Sequence, residues 1–534
     1  MKLKITENKK FLQVIESTDD ELNQLKLSLR RRITNAHFHP LVKAGHWDGY
    51  IEFIDKYCRI PFGLWNVVQE LCDSYDFNLE FIGLKEFLDY ENFNKDDYLD
   101  WEKEYYSDMK IKPRDYQTSS VLQILKWKRS ISEIATSAGK TLIIFNIFAY
   151  LKHKNKLDYY KEFVIVKNDK TKEKEKVEIS IKEKMLVIVP NIQLVLQTME
   201  KFEQYSKDKK KIKYKIQPIS GGEDKNRKDV DIIIGTYQSL RELPDVFFKG
   251  VKVVCVDESH HTKIQSIQTV FKKCKEADFR FGLSGTARLS IADADSYTMQ
   301  GLLGPLVNKI SPKFLSNRGF ITPVNIRVLY LNYLEIKLKR DLYELKKRRP
   351  QEGAKILQLE RELIITNSKR LEYITDLISN TKKNGLVLFH DIKNKYGRTI
   401  YENLLEKMNN NVQLFYVDGS TEKRNREHYR KMMDKKDDIQ RIMVASFGTF
   451  SQGIDINNLH YLFLTESYKS EIIIMQSLGR GMRLSEDKPV VNIVDFVDDF
   501  SYNGNLNYVY KHALERISIY EEEKFNYKEI KIKI

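Results

Sequence analysis

Apolar and polar positions alternate along this chain in two different styles. Over residues 1–108 the apolar runs are short. Residues 2–5 and 11–15 predict strands, and 65–75 predicts an amphipathic helix. Residues 19–32 predict a helix that opens on acids and closes on Arg30-Arg31-Arg32, as the helix dipole favours. Residues 89–108 are polar and acidic and read as a linker with a short helix. From 111 to about 310, apolar strands at 185–189, 230–235, 251–256 and 279–284 alternate with helical segments. Continuous runs of this kind predict a parallel sheet covered on both faces. The alternation returns between 385 and 500, at 386–389, 412–416, 441–445, 460–464 and 490–496, and predicts a second such sheet. The intervening 317–378 reads as a charged helical connector. Residues 152–184 are rich in Lys and Glu, with two alternating apolar runs around Asn168-Asp169, and predict an inserted β-hairpin. The tail reads as a helix over 508–523 followed by a basic strand. The fold class is therefore α/β. Its expected parts are a small α+β block at 1–108, sheet domains at 109–315 and 316–500, and a helical C-terminal element at 501–534.

A length of 534 residues and a hydrophobic content of 42% suit several cores of about 100–200 residues each. The formal net charge of +15 points to a polyanionic partner, above all nucleic acid, although a Lys-rich coding background would give the same excess. The charge run at 207–215 is either a solvated face or a strip that touches phosphates. Cys58, Cys72, Cys255 and Cys274 form no C-x-x-C pair, which argues against a zinc ribbon or redox motif and for reduced thiols. The N-terminus shows no apolar signal segment, and no apolar run approaches the roughly 20 residues of a membrane span. A cytoplasmic protein with no membrane contact is expected.

The stretch at 130–151 carries the first piece of chemistry. A short strand leads into the small-residue loop Thr136, Ser137, Ala138 and Gly139, and a helix starts at Lys140. Amide groups at a helix N-terminus suit a polyphosphate. Gly139 lets the backbone approach, Lys140 can reach the terminal phosphates, and Thr141 offers a hydroxyl to Mg²⁺. The full phosphate-loop pattern wants a glycine where this chain has Ile134. A second piece lies at 251–261, VKVVCVDESHH, where a buried strand would deliver Asp257 and Glu258 to the lip of the sheet. Asp257 is assigned to Mg²⁺ and Glu258 to the attacking water. Arg480 and Arg483, three apart on a helix, share a face and suit phosphate oxygens as arginine fingers supplied in cis. In the first block His37, Phe38, His39, Lys43, His46, Trp47 and Tyr50 interleave aromatic with basic groups. They either build the core of a small domain, the usual fate of aromatics, or grip a nucleic-acid backbone and stack on bases.

DESH at 257–260 resembles motif II of superfamily 2 helicases, and other motifs follow in their order. RDYQ, with Arg114 and Gln117, is similar to the adenine-reading segment. Residues 187–197, with Pro190 and Gln197, resemble motif Ia. Residues 235–239, with Gly235, Thr236 and Gln238, resemble motif Ib, and SGT at 284–286 resembles motif III. LVLFHD at 386–391, with His390, resembles motif IV. Residues 444–456, with Ser446, Gly453 and Asp455, resemble motif V, and QSLGRGMR, with Gln476, Arg480 and Arg483, resembles motif VI. The resemblance implies two tandem RecA-like domains, ATP and Mg²⁺ as cofactors, Gln476 as a catalytic residue with Lys140, Asp257, Glu258, Arg480 and Arg483, and Gly453 and Asp455 at the nucleotide. It further implies nucleic-acid contacts at Pro190, Gln197, Gly235, Thr236, Gln238, His390 and Ser446, with Lys43 and Trp47 as further candidates. FHPLVKAGHWDGYIEFIDKYCRIPFGL at 38–64 and the tail at 511–527 resemble the UvsW family of phage recombination helicases. That resemblance implies a monomer in the cytoplasm of an infected bacterium, acting on branched or duplex DNA and on RNA in R-loops by branch migration, fork regression and R-loop unwinding. The chain departs from the family at Ser259, where a Cys is usual, and in a longer 152–184 insertion. Two other readings stay open: an annealing or scaffolding protein with a vestigial ATPase, which Ile134 would suit, and an RNA-directed helicase.

Overall fold

The computed structural model describes the chain except residues 34–35, 89–92, 168–173, 208–213, 220–228, 258–263, 286–293, 394, 409–410, 452–455, 467–478, 480–481 and 483–487. The chain divides into two compact units, Met1–Ile134 with Gly139–Ile310, and Ala135–Ala138 with Ser311–Ile534.

The first unit opens with a four-stranded sheet of order β5-β2-β1-β6, built from β1 (Lys2–Ile5), β2 (Phe11–Glu16), β5 (Arg59–Pro61) and β6 (Glu80–Ile82). Leu3, Leu12, Ile60, Phe62 and Val68 fill its core. The helix expected over 19–32 stops at Ser28, where Leu29 is buried and its N–H closes on the Leu25 carbonyl at 2.9 Å. Arg30–Arg32 instead form β3, which pairs antiparallel with β4 (Tyr50–Glu52). The arginines follow the pleat because Arg30 lies 4.5 Å from the Tyr50 ring centre and pairs with Asp48. The stretch expected to link this block to the next holds the helix Lys95–Tyr105. Its Tyr98, Trp101 and Tyr105 are buried, and Tyr98 and Trp101 pack on Tyr150.

The remainder of the unit is built on β7 (Arg129–Ile134), β10 (Lys184–Val189), β11 (Ile216–Ile219), β12 (Ile232–Thr236), β13 (Val251–Asp257), β14 (Phe279–Ser284) and β15 (Leu306–Ile310). They form one parallel sheet of order β11-β12-β10-β13-β14-β7-β15. Between β7 and β10, β8 (Tyr159–Lys167) and β9 (Lys174–Lys182) form the expected antiparallel hairpin; its Asn168-Asp169 turn lies outside the described residues.

The second unit holds β16 (Val324–Asn332), β17 (Gly385–Phe389), β18 (Val412–Val417), β19 (Gln440–Ser446), β20 (Tyr461–Leu464), β21 (Val491–Asp499) and β22 (Asn526–Lys533). These too are all parallel, in the order β18-β19-β17-β20-β21-β16-β22. Numbered within its own unit, each sheet reads 3-4-2-5-6-1-7, so the two have one topology. Two members were not expected where they stand. β16 lies inside the supposed helical connector, and the basic tail strand β22 completes the sheet against it.

Because each sheet is wholly parallel, all of its strand C-termini open on one lip, where ligands bind in open α/β folds.

Candidate active site

In the first sheet, β7 is buried throughout and runs straight into the loop. Ser137 and Gly139 both take left-handed backbone conformations, at φ 67° and 81°. The helix Lys140–His153 then starts with Gly139 as N-cap and no side-chain cap, while Leu142 to Leu151 are buried. A Cβ at Gly139 would be strained and would run into the Gln117 amide nitrogen. The structure thus brings Gln117, from the helix Asp115–Trp127, against the loop. The Arg114 N–H donates to Gln117 Oε1 at 2.9 Å, and the Arg114 guanidinium donates to the Tyr116 hydroxyl at 3.3 Å. Lys140 and Thr141 are half-buried.

Asp257 ends β13 and is buried, in register with Leu283 of β14. One strand, β14, separates it from β7, a lateral step of about 10 Å at the usual strand spacing. A long helix without a side-chain cap, a left-handed glycine, a lysine, a hydroxyl and a carboxylate on one lip fit a triphosphate with a divalent cation. Glu258 lies outside the described residues.

On the same lip, Pro190 follows β10 and Thr236 ends the adjacent β12, with Val189 and Thr236 in register. Motifs Ia and Ib are therefore neighbours. Thr236 Oγ1 accepts the Ser239 N–H at 3.3 Å and caps the short helix Tyr237–Arg241, which leaves Gln238 exposed. Gln197 is half-buried on the helix Ile192–Lys207. Gly235 has a packing reason as well, since a Cβ there would meet Ile219 and Leu240 at 3.0 Å.

In the second sheet, His390 follows β17 and Ser446 ends β19, its immediate neighbour. The Ser446 hydroxyl is engaged with Thr449, 2.9 Å away, and caps the local helix. Burial lowers the His390 imidazole pKa. Sequence reasoning missed the group that holds this corner. The Glu466 carboxylate accepts both the His390 and the Asp391 N–H, the latter at 3.0 Å. Glu466 is buried, and that burial raises its pKa against the pull of the two amides. Behind it, Arg370 is fully buried. It forks onto Asp498 at 2.6 and 3.0 Å, donates to the Thr465 carbonyl at 2.6 Å and meets the Tyr396 hydroxyl. The acid following an apolar strand, at 465–466, was the available signal.

Within the second unit as its contacts define it, Ser137 Oγ donates to the Gly479 carbonyl at 2.9 Å. Gly453, Asp455, Gln476, Arg480 and Arg483 lie outside the described residues. In the first block, Lys43 is exposed, and Trp47 is half-buried with its Nε1 donating to the Tyr50 carbonyl at 2.9 Å. The His39 ring stands edge-on to Trp47 at 5.1 Å. Trp47 and Tyr50 thus lie outside the apolar core that Phe53 and Phe62 join.

Comparison with known proteins agrees with this geometry. Residues 5–82 match the profile "DNA helicase UvsW, N-terminal". Residues 110–289 match "Type III restriction enzyme, res subunit", and 369–485 match "Helicase conserved C-terminal domain". The ATP-dependent DNA helicase uvsW of Enterobacteria phage T4 is 28% identical over 509 residues, covering 92% of this chain and 91% of the relative. The DNA 3'-5' translocase XPB2 of Sulfurisphaera tokodaii is 21% identical, covering 72% of this chain and 81% of its own. The solved structure of the type ISP restriction-modification enzyme LlaBIII bound to DNA superposes with a TM-score of 0.52 at 14% identity. It covers 79% of this chain and 32% of the larger one, a likeness of fold alone. Ordered motifs, twin parallel sheets and these matches together support a superfamily 2 helicase that resembles the phage UvsW helicase.

Proposed function

We propose that this chain hydrolyses ATP and uses the cycle to move on and remodel branched or duplex DNA, through branch migration, fork regression and R-loop unwinding. The observation that carries the reading is the uncapped helix behind left-handed Gly139, on the same lip as Asp257. In this reading the loop residues Thr136, Ser137, Ala138 and Gly139 cradle the phosphates, and Lys140 neutralises charge on them. Arg114 and Gln117 recognise the adenine. Thr141 and Asp257 would hold Mg²⁺, which supplies charge neutralisation on the phosphate oxygens when bound. Glu258 orients the attacking water, with Gln476 beside it, while Arg480 and Arg483 stabilise the transferring phosphoryl group. Gly453 and Asp455 respond to the nucleotide.

The DNA backbone would run over Pro190, Gln197, Gly235, Thr236 and Gln238 in the first unit and over His390 and Ser446 in the second. Lys43 and Trp47 would engage the branch. The adjacency of the Pro190 and Thr236 positions supports this path, because phosphate contacts fix register without reading sequence. The protein would act as a monomer in the cytoplasm of the infected host.

Lys140→Ala tests the core of the reading. DNA-stimulated ATP hydrolysis should vanish while DNA binding is largely kept; unchanged hydrolysis overturns it. Stimulation by a four-way junction, plain duplex and single-stranded RNA then ranks the substrates, with the junction expected first. Stronger stimulation by RNA would instead favour an RNA-directed helicase.

A further inference from the structure

The helix Ile336–Arg348 ends in Lys346, Lys347 and Arg348, and Arg349 follows. Cations in a last turn compensate the helix dipole, which explains a local run but not its neighbours. Lys355 comes from the next helix, Gly353–Thr366, and Lys511 from the helix Tyr508–Glu522. These three helices meet: Tyr508 lies 3.0 Å from where a Cβ on Gly353 would stand, and Lys346 Nζ donates to the Leu506 carbonyl at 2.8 Å. Lys346 and Lys511 both face the Tyr508 ring, at 4.6 and 5.8 Å from its centre.

Acidic groups oppose this charge in part, with Asp341 and Glu344 on the first helix and Glu515 on the third. Glu352 lies 3.6 Å from Arg349 and 3.4 Å from Lys355, whose side chains remain 58% and 79% exposed. Glu360 is buried and spent on the Tyr508 and Val509 N–H groups. Burial first, and then the neighbouring Lys511 ammonium, lower the Lys346 pKa against the pull of Glu360. None of these residues belongs to a helicase motif.

We propose that this three-helix junction grips the phosphate backbone of a duplex DNA arm, as a contact additional to the motif residues. The inference rests on the DNA substrate proposed above. Duplex is favoured because the Tyr508 ring already lies under ammonium groups. That ring is therefore covered on the side the ammonium groups face, whereas single-strand grooves rely on stacked bases.

The full chain carrying Lys347→Ala, Arg348→Ala and Lys355→Ala is compared with the parent for binding to duplex and to a four-way junction, across about 50–200 mM salt. Each neutralised contact removes about 0.9 from the slope of log K against log salt, so a fall of up to about 3 is expected, with duplex Kd raised roughly tenfold or more. ATP hydrolysis stimulated by a saturating short single strand should not change. Charge-keeping Lys347→Arg with Lys355→Arg should retain parental affinity, which separates charge from folding. Parental duplex affinity and slope in the triple Ala variant overturn the proposal while leaving the helicase reading intact. A parent that neither binds DNA nor hydrolyses ATP in its presence would remove both.

Discussion

At the scale of single residues, two positions decide most. Gly139 holds a left-handed conformation and leaves no room for a Cβ beside the Gln117 amide. Gly139→Ala should therefore cost about 1–2 kcal/mol in backbone strain and push Gln117 off the loop. The expected outcome is a higher KM for ATP with a modest fall in Tm, read by steady-state kinetics and thermal unfolding; an unchanged KM would show that the loop tolerates the methyl group. Glu466 is the second position. Burial raises its folded pKa, so the native state keeps its proton where the unfolded chain has lost it. Its contribution to stability is fullest below the unfolded value near 4.5 and is lost as pH rises through the raised folded value. Glu466→Gln keeps an oxygen for the two amides and should flatten that pH dependence in urea melts. Glu466→Ala should leave the His390 and Asp391 N–H groups unpaired, at about 1–3 kcal/mol. It should also raise the DNA concentration needed for half-maximal ATPase. A parental pH profile in Glu466→Gln would deny the carboxylate this role.

At the scale of elements, what the sequence made legible depended on how continuously a strand is buried. β10, β12 and β13 are runs rich in Val, Ile, Leu and Met, β14 carries Phe279, Phe281 and Leu283, all four lie in the sheet interior, and their positions could be read within a residue or two. β11, with Pro218, and β15, with Asn308 and Lys309, lie toward the sheet edges, where one neighbour is absent and the apolar signal is diluted. β16 was hidden by Asn325 and Arg327 and by the charged helices after it, although it pairs on both sides. Gly139, Lys140 and Asp257 stand out in the sequence because glycine, lysine and carboxylate positions at strand ends carry their own signal, whereas Gly453, Asp455, Gln476, Arg480 and Arg483 lie outside the described residues. The Arg370–Asp498 pair was not, because 128 residues separate its members and only the fold joins them. That pair ties β21 to the helices Ser368–Ser379 and Tyr396–Lys407. Arg370→Met should destabilise the second unit by about 3–5 kcal/mol in urea unfolding, since it strands a buried carboxylate. Adding Asp498→Leu should recover much of the loss. If the double variant is no better than the single one, the pair acts through shape and not through charge.

At the scale of the whole molecule, the N-terminal block and the first sheet share one unit, and this determines how the block can be tested. Arg129, buried at the start of β7, lies 4.6 Å from the Phe62 ring centre and bonds the Lys9 carbonyl. The Arg31 guanidinium covers Tyr297 at 4.2 Å, Gln300 Nε2 donates to Asn66 at 3.0 Å, and Trp65 stacks on Trp127 at 5.7 Å. A Cβ on Gly63 would lie 2.8 Å from the Gly301 carbonyl, so the two surfaces meet with no side chain between them at that point. Cutting the chain at residue 108 would bare Arg129, Trp127 and Tyr297. It would also strip the aromatic cover from Tyr150 of the helix behind the phosphate loop. Such a truncation should lower Tm and ATPase together, whether or not the block touches DNA. Lys43→Ala with Trp47→Ala is the sharper experiment, because both side chains lie outside that shared core. It should leave Tm and basal ATPase near parental values, weaken junction binding and reduce its salt slope by about 1 for the lost cation. Parental junction affinity in that variant would assign the block to holding the first sheet together and leave branch recognition to the two sheets.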